Sequence, residues 1–366
     1  MTAVAARDPA AQARLLELIN AGWTTQAVAA ACELELPDRL ASGARTTTDL
    51  ARETGADLDA LTRLLRALVT LEVCCEVEAD TFALGTLGSF LRHEHENGLR
   101  HWALLNGGPL WTCWGALGAR VRAGSKGATS NDSTERFRRL EADGLEAALF
   151  HGAMTELSRR VGGSLDATLT VPDGALVVDV GGGSGELLAT LLAPRPSVRG
   201  LLFDLSPALA RALPVLYRHG VAGRCELRAG SFFDCVPPQG DLYLLKSVLH
   251  DWDDEHAARL LSRCSDAMQL GARLVVVERT MPERLGAAPE DRAVARSDLN
   301  MRVGLSGRER YMSAYCTLFE RAGLKLQKSW SLGAGFSAIT VAARTAILPG
   351  IRLPTSLALT ETASHN

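Results

Sequence analysis

The stretch 177-VVDVGGGSGELLATLL-192 decides how this chain is read. A short β-branched run stops at a cluster of glycines and restarts as a Leu-rich segment: strand, tight turn, helix. Glycines at 181, 183 and 185 let the strand turn sharply into the helix and let a ligand approach the backbone closely. A second apolar run, 200-GLLFDLS-206, reaches Asp204, nineteen residues beyond Gly185, where a carboxylate can accept both hydroxyl hydrogens of an adenosine ribose. A glycine-rich turn alone is no more than a strand-to-helix loop. Strand, loop, helix, strand and acid in that order describe a nucleoside site.

Two more short apolar runs follow, 240-GDLYLLKSVLHD-251 and 272-ARLVVVERTMP-282, separated by helix-length segments. That alternation predicts an α/β domain with a doubly wound parallel sheet and helical crossovers. The glycine spacing then bears on the ligand. Dinucleotide sites favour G-x-G-x-x-G, with pyrophosphate on the helix N-terminus. Here the spacing is G-x-G-x-G, Asp179 stands two residues before Gly181, and Glu186 opens the helix. Glu186 would meet a pyrophosphate with like charge. S-adenosylmethionine carries a sulfonium and an ammonium and no phosphate, so an acidic mouth suits it. It is the expected cofactor, with Asp179, Gly181, Gly183 and Asp204 among its contacts.

The composition narrows the partners. The chain has 366 residues, 47% of them hydrophobic and 22% charged, with a net charge of −3. That is an ordinary globular composition, long enough for two domains, without the basic face of a nucleic-acid binder. No apolar run is long enough to span a membrane, and MTAVAARDPAAQARLLEL shows no secretory signal, so a cytoplasmic location is expected. The eight cysteines are scattered with no CxxC pair, which predicts buried free thiols and no zinc site. No metal is expected.

Upstream, residues 9–32 carry Leu15, Leu16, Ile19 and Val28 at helical spacing. In 46-TTTDLARETGADLDALTRLLRALVTLEVCCEVEADTFALG-85 a helix starts at Thr47/Thr48 and breaks at Gly55. A second helix with a Leu61, Leu64, Leu65, Leu68 stripe and a small hairpin (73–77, 81–84) follow. This winged-helix pattern serves DNA reading or protein–protein contact. With only Arg63 and Arg66 basic on the second helix, contact is the stronger reading. Residues 100–163 read as helical, with a polar loop at 124–135 and helical periodicity through 136–160. The expected division is a winged-helix-like, otherwise all-helical domain at 1–110, a helical connector at 111–165 contributing to a substrate pocket, a cofactor-binding α/β domain at 166–346, and a tail at 347–366.

The segment 245-LKSVLHDWDDEH-256 moves from buried-strand chemistry to one histidine and a run of acids. Its structural reading is a strand end with Asp251 or Asp253 capping the next helix. Its catalytic reading is a base, because open α/β folds place ligands at the carboxyl ends of their strands.

Taken together, VVDVGGGSGELL, FDL at 203–205, GSFFD at 230–234, KSVLHDWDDEH and GRERYMSAYCTLFERAGL at 307–324 resemble the class I S-adenosylmethionine-dependent methyltransferases. The resemblance is nearest to the plant-caffeate-type and bacterial natural-product O-methyltransferases. It runs in the family's order over most of 150–343, and the winged-helix-like part resembles that family's dimerisation domain. It implies a homodimer acting on a small aromatic molecule. By position it makes Gly181, Asp204 and Leu205 cofactor contacts, sets Gly230, Ser231 and Phe232 beside the adenine, and puts Lys246 on the cofactor side. It makes His250 the base, with Glu278 and Glu309 as flanking acids, and places Asp251 and Asn300 in the acceptor pocket. Relatives often have aspartate where Ser231 stands, which implies weaker hold on the adenine amino group.

Methyl transfer needs an oxygen aimed at the sulfonium carbon and relieved of its proton. An unperturbed histidine near 6.5 is a competent base, although a phenol near 10 makes prior deprotonation uphill by about 3.5 units. A glutamate would hold the imidazole tautomer. Plainer readings stand beside these. His250 can be a satisfied strand-end histidine, and Asp251 and Asp253 cap or solvated-face residues. Glu278 can pair with Arg279 or Arg310, and Glu309 can form a surface ion pair. Trp102, Trp111, Trp114, Phe150 and Met154 can be plain core instead of acceptor pocket. Three further functions remain open: methylation of an activated aromatic carbon, non-methylating chemistry, and a winged-helix regulator sensing S-adenosylmethionine.

Overall fold

The structure, a computed structural model, describes residues 8–124, 133–304 and 307–343. Most of the expected polar loop at 124–135 and all of the expected tail at 347–366 lie outside the described residues.

Helix α1 (Pro9–Glu33) opens on Asp8, whose carboxylate accepts from the amides of Ala10 and Ala11. Then come α2 (Leu36–Leu40), β1 (Arg45–Thr46), α3 (Thr47–Thr54), α4 (Leu58–Thr70), β2 (Cys74–Glu78) and β3 (Thr81–Leu84). Thr46 caps α3, Gly55 ends it in the left-handed region at φ +70°, and Asp57 caps α4. The expected helix-turn-helix and hairpin are present. The hairpin gains β1, giving a three-stranded antiparallel sheet in the order β1-β3-β2. Leu50, Leu61, Leu65, Leu68 and Phe82 close its core. On α1, Leu15, Leu16, Ile19 and Trp23 are all more than half exposed, an apolar face too large for a solvated helix.

The middle of the chain is α5 (Thr86–Ser89), α6 (Arg100–Gly107), α7 (Pro109–Gly115), α8 (Leu117–Ala123), α9 (Ser133–Ala142) and α10 (Gly144–Thr168). Residues 136–160 are not one continuous helix: Asp143 accepts from the amides of Leu145 and Glu146 and starts α10 afresh. From inside α10, buried Glu156 reaches across to accept from the amides of His101 and Trp102, capping α6.

The α/β part comprises β4 (Leu176–Val180), α11 (Glu186–Leu192), β5 (Arg199–Asp204), α12 (Ser206–Leu209), α13 (Ala212–Arg218), β6 (Cys225–Ala229) and β7 (Leu242–Lys246). It continues through α14 (Asp254–Ala267), β8 (Arg273–Met281), α15 (Pro289–Gly304), β9 (Arg310–Tyr311), α16 (Met312–Arg321), β10 (Leu324–Gly333) and β11 (Phe336–Ala343). The strand order is β10-β11-β8-β7-β4-β5-β6, with β9 paired to β8 alone. From β6 to β8 the sheet is parallel, as expected. It is mixed overall, because β11 lies antiparallel to β8 and to β10. The physical reason is the connection: only Ala334 and Gly335, both at positive φ, join β10 to β11, and so short a link makes a hairpin and no crossover.

The chain passes from β4 to β5 on one side and, through β6, back to β7 on the other. That reversal opens a crevice at the carboxyl ends of β4, β5 and β7.

Candidate active site

The glycine loop fills the floor of this crevice. Gly181, Gly183 and Gly185 take φ of +70°, +58° and +75°, which side-chain-bearing residues resist. A Cβ on Gly182 would fall 2.5 Å from the Asp179 carboxyl carbon, so the backbone there lies directly on a buried acid. Asp204 holds the loop from the next strand: its Oδ2 accepts from Gly183 N at 2.8 Å and its Oδ1 from Leu205 N at 2.6 Å. Gly230 packs against the Phe203 ring and donates to Asp204 O, which brings Ser231 and Phe232 to the same edge. Phe232 and Val248 both close on Gly181. The Ser231 hydroxyl accepts from Phe233 N.

Two charges stand inside this cradle. Burial, reinforced by Asp204, pushes the Asp179 carboxyl up to about 7, and its Oδ2 has no hydrogen-bond partner among the described residues. Burial pulls Lys246 down to about 8 against the attraction of Glu278 and Asp179. A ligand that is cationic in one place and anionic in another satisfies both, so the residues fit S-adenosylmethionine. The sequence argument from Glu186 does not survive. Its carboxylate is buried and bonded to Arg159, Arg218 and His219, so its charge is neutralised before it can repel a phosphate. Arg159 and Thr155, which bonds the Ser184 hydroxyl at 2.7 Å, tie α10 to the loop.

His250 sits just past β7 on a short 3₁₀ turn, Leu249–Asp251, and Asp253 caps α14. Its Nδ1 lies 3.0 Å from Glu309 Oε1 and 3.7 Å from Glu278 Oε2. Its Nε2 lies 3.4 Å from Asp251 Oδ1. Neither glutamate makes the surface ion pair that its arginine neighbours suggest; both are buried. They divide the work. Glu309 addresses the imidazole and is steadied by Ser297 Oγ at 2.6 Å, while Asp298 holds its backbone amide. Glu278 Oε1 accepts from the amides of Val248 and Leu249, so it holds the turn. Burial opposes charge on His250, but Glu309, Glu278 and Asp251 outweigh it and raise the imidazole to about 10. Burial works to raise Glu309, and His250 with the Ser297 hydroxyl holds it below its usual value. Burial raises Glu278 and takes Asp251 to about 7. Asp251 lies beside the imidazole, and the cap of α14 is Asp253.

The sequence shows no metal-ligand spacing, yet the fold brings one ligand atom each from His250, Glu278 and Glu309 within 4.8 Å of one another. One oxygen of each glutamate is already committed to protein donors. The cysteines are all free, but only Cys32, Cys74 and Cys264 are buried. Cys75 is exposed because alternate side chains of β2 face opposite ways.

On the acceptor side, Phe150 and Met154 of α10 pack with Trp102, Trp114, Leu105 and Leu110. Trp114 Nε1 donates to Asn300 Oδ1 at 3.0 Å, tying α7 to α15. Trp111 leaves the group and packs against Gly22 of α1, partly exposed. Phe137 of α9 went unnoticed in the sequence; its ring lies 6.1 Å from Phe150 and 6.2 Å from Trp252, joining this cluster to the histidine turn. Ser133, Ser297, Asp298 and Arg310 were also missed as site residues, since none stands out without its partner across the fold.

The profile described as the O-methyltransferase domain matches residues 114–325, and that of the O-methyltransferase dimerisation domain matches 16–93. The chain belongs to the O-methyltransferase family. This methyltransferase is 34% identical over 328 residues to the mitomycin biosynthesis 6-O-methyltransferase of Streptomyces lavendulae, covering 89% of this chain and 93% of that one. It is 36% identical over 335 residues to the 3-amino-4-hydroxybenzoate 4-O-methyltransferase of Streptomyces cremeus, at 90% and 89% coverage. A third relative, 33% identical with 81% and 85% covered, is the 8-amino-8-demethylriboflavin N,N-dimethyltransferase of Streptomyces davaonensis. Among solved structures it resembles that of LaPhzM with a TM-score of 0.84, at 29% identity with 91% and 99% covered. It also resembles the neocarzinostatin-pathway O-methyltransferase NcsB1 in complex with S-adenosylmethionine and 2-hydroxy-5-methyl naphthoic acid, with a TM-score of 0.69, at 29% identity with 88% and 96% covered.

Proposed function

We propose that this methyltransferase moves the methyl group of S-adenosylmethionine to a hydroxyl of a small aromatic specialised metabolite, with His250 as general base. The observation that carries the reading is the His250–Glu309 contact at 3.0 Å, which commits Nδ1 and turns Nε2 toward Asp251, 3.4 Å away, on the side proposed for the acceptor. The relatives named for mitomycin and hydroxybenzoate chemistry support the substrate class. Bound S-adenosylmethionine supplies an electrophilic methyl group. Asp179, Gly181, Gly183, Asp204, Leu205, Gly230, Ser231, Phe232 and Lys246 hold it; Phe150, Met154, Asp251 and Asn300 hold the acceptor. A homodimer through the apolar face of α1, no metal, and a cytoplasmic site of action belong to the same reading.

The raised imidazole changes the proton balance expected from the sequence. At about 10 it matches a phenol, whose ordinary value is about 10, so transfer between them is nearly level. The uphill cost has moved. It now lies in emptying the imidazole before the acceptor arrives, and it therefore shows as a dependence on pH.

A second reading, methylation of an aryl amine, is favoured by the N,N-dimethyltransferase relative. Calorimetric titration with S-adenosylmethionine, with NADH as control, tests the cofactor first. Binding of the first at micromolar concentrations and none of the second supports the reading, and the reverse overturns it. Phenol and aniline acceptors, compared by product mass, then separate the two chemistries.

A further inference from the structure

We infer that Arg310 is a positioning residue for methyl transfer, setting the backbone turn that aims His250 and Asp251. The inference rests on His250 as the base.

The turn has little to hold it from within. Its own hydrogen bonds, Asp251 N to Val248 O at 3.2 Å and Trp252 N to Leu249 O at 3.3 Å, are at the long end of the range. Its shape is therefore imposed from outside. Every carbonyl from Leu249 to Trp252 has a donor from another part of the chain. Arg308 N donates to His250 O at 2.8 Å and Ser133 Oγ to Asp251 O at 2.6 Å. The two flanking carbonyls go to one side chain: Arg310 Nη1 donates to Leu249 O at 2.8 Å and Nη2 to Trp252 O at 2.7 Å. A guanidinium is a rigid planar fork, so the separation of those two carbonyls is fixed by its geometry. His250 and Asp251 are the two residues between them.

Arg310 is held in turn. Its side chain is 1% exposed, and its Nε donates to Asp254 Oδ1 at 2.9 Å in the first turn of α14. Its neighbour Glu309 supplies the carboxylate on His250 Nδ1, so one dipeptide fixes both the backbone and the ring of the base. Gly307 completes the clasp: a Cβ there would lie 1.7 Å from His250 O, so only glycine lets this segment pass so close. A lysine at 310 would keep the charge but lose the planar fork that sets the spacing of the two carbonyls.

The test compares the full-length parent with Arg310→Lys, Asp254→Asn and His250→Ala, measuring kcat, KM, affinity for S-adenosylhomocysteine and the pH profile of kcat. A misplacement of about 1 Å costs on the order of 100-fold in rate. Arg310→Lys is expected to lower kcat by about 10- to 100-fold while product affinity stays within about threefold. The rising limb of the profile should shift to lower pH as the His250–Glu309 contact loosens. Asp254→Asn, a milder loosening at a half-exposed acid, should lower kcat in the same sense by about 3- to 10-fold, and Asp254→Glu should restore most of it. If Arg310→Lys does not fold, the Asp254 pair decides. Unchanged kcat in the variants that fold, or a loss in kcat matched by product affinity with the pH limb unmoved, overturns the role of Arg310. An active His250→Ala overturns the base reading instead, and the two failures are thus distinguishable.

Discussion

Nδ1 of His250 and Oε1 of Glu309 stand 3.0 Å apart, sealed from solvent, although 59 residues separate them in the chain. The contact is an ion pair whenever the imidazole carries a proton. It fixes the orientation of the ring and stabilises its charged form.

Glu309→Gln removes the charge and keeps the shape. Glu309 raises His250, so its loss lowers the imidazole from about 10. With His250 as the proposed base, neutral imidazole is the active form, and its fraction grows as pH rises through its own value. For the parent, kcat/KM is expected to climb across pH 7–9. In Glu309→Gln the climb should end at lower pH, while the plateau falls about 10- to 100-fold as orientation weakens. A profile of kcat/KM against pH for both proteins checks the sign.

Glu278 should behave differently, because its Oε1 serves two backbone amides. Glu278→Leu leaves both buried donors unpaired and should destabilise the fold by about 2–4 kcal/mol. Glu278→Gln retains an acceptor oxygen and should lose less than half of that. Chemical denaturation midpoints of the two variants give the comparison; equal losses would rule out the backbone-holding role.

Gly182→Ala drives a methyl group into the buried Asp179 carboxyl at 2.5 Å. The loop must lift, and affinity for S-adenosylmethionine should fall by about 5- to 150-fold, since overpacking costs about 1–3 kcal/mol. Calorimetry reads the change directly.

Prolonged dialysis against EDTA should leave kcat unchanged. Glu278 and Glu309 each commit one oxygen to protein donors, and the imidazole to Glu309. Loss of activity that Mg²⁺ or Zn²⁺ restores would require a metal at His250.

The parallel sheet, the glycine loop and the winged-helix-like region were legible in the sequence because their signals are local: periodicity, caps such as Asp57, and glycines at forced φ. The place of His250 just past a strand was legible, and the resemblance named Glu278 and Glu309 beside it. What holds those groups in position was not. Ser297 reaches Glu309, and Ser133 and Arg310 reach the turn, from positions 47 to 117 residues away from His250, and an arginine within 308–310 reads as a surface ion-pair partner until its burial is seen. Glu186 misled for the same reason. An acid beside a glycine loop reads as exposed, and the two arginines that neutralise it, with His219 beside them, come from α10 and the end of α13. The β10–β11 hairpin was missed because its only signal is a two-residue turn with alanine at positive φ.

The most direct test of the account is transfer of labelled methyl from S-adenosylmethionine to a panel of phenolic acceptors by the parent and by His250→Ala, with affinity for S-adenosylhomocysteine measured in parallel. Loss of a general base costs about 10²- to 10⁴-fold. The account predicts a loss in that range at unchanged product affinity; transfer by the variant within a few-fold of the parent would contradict it.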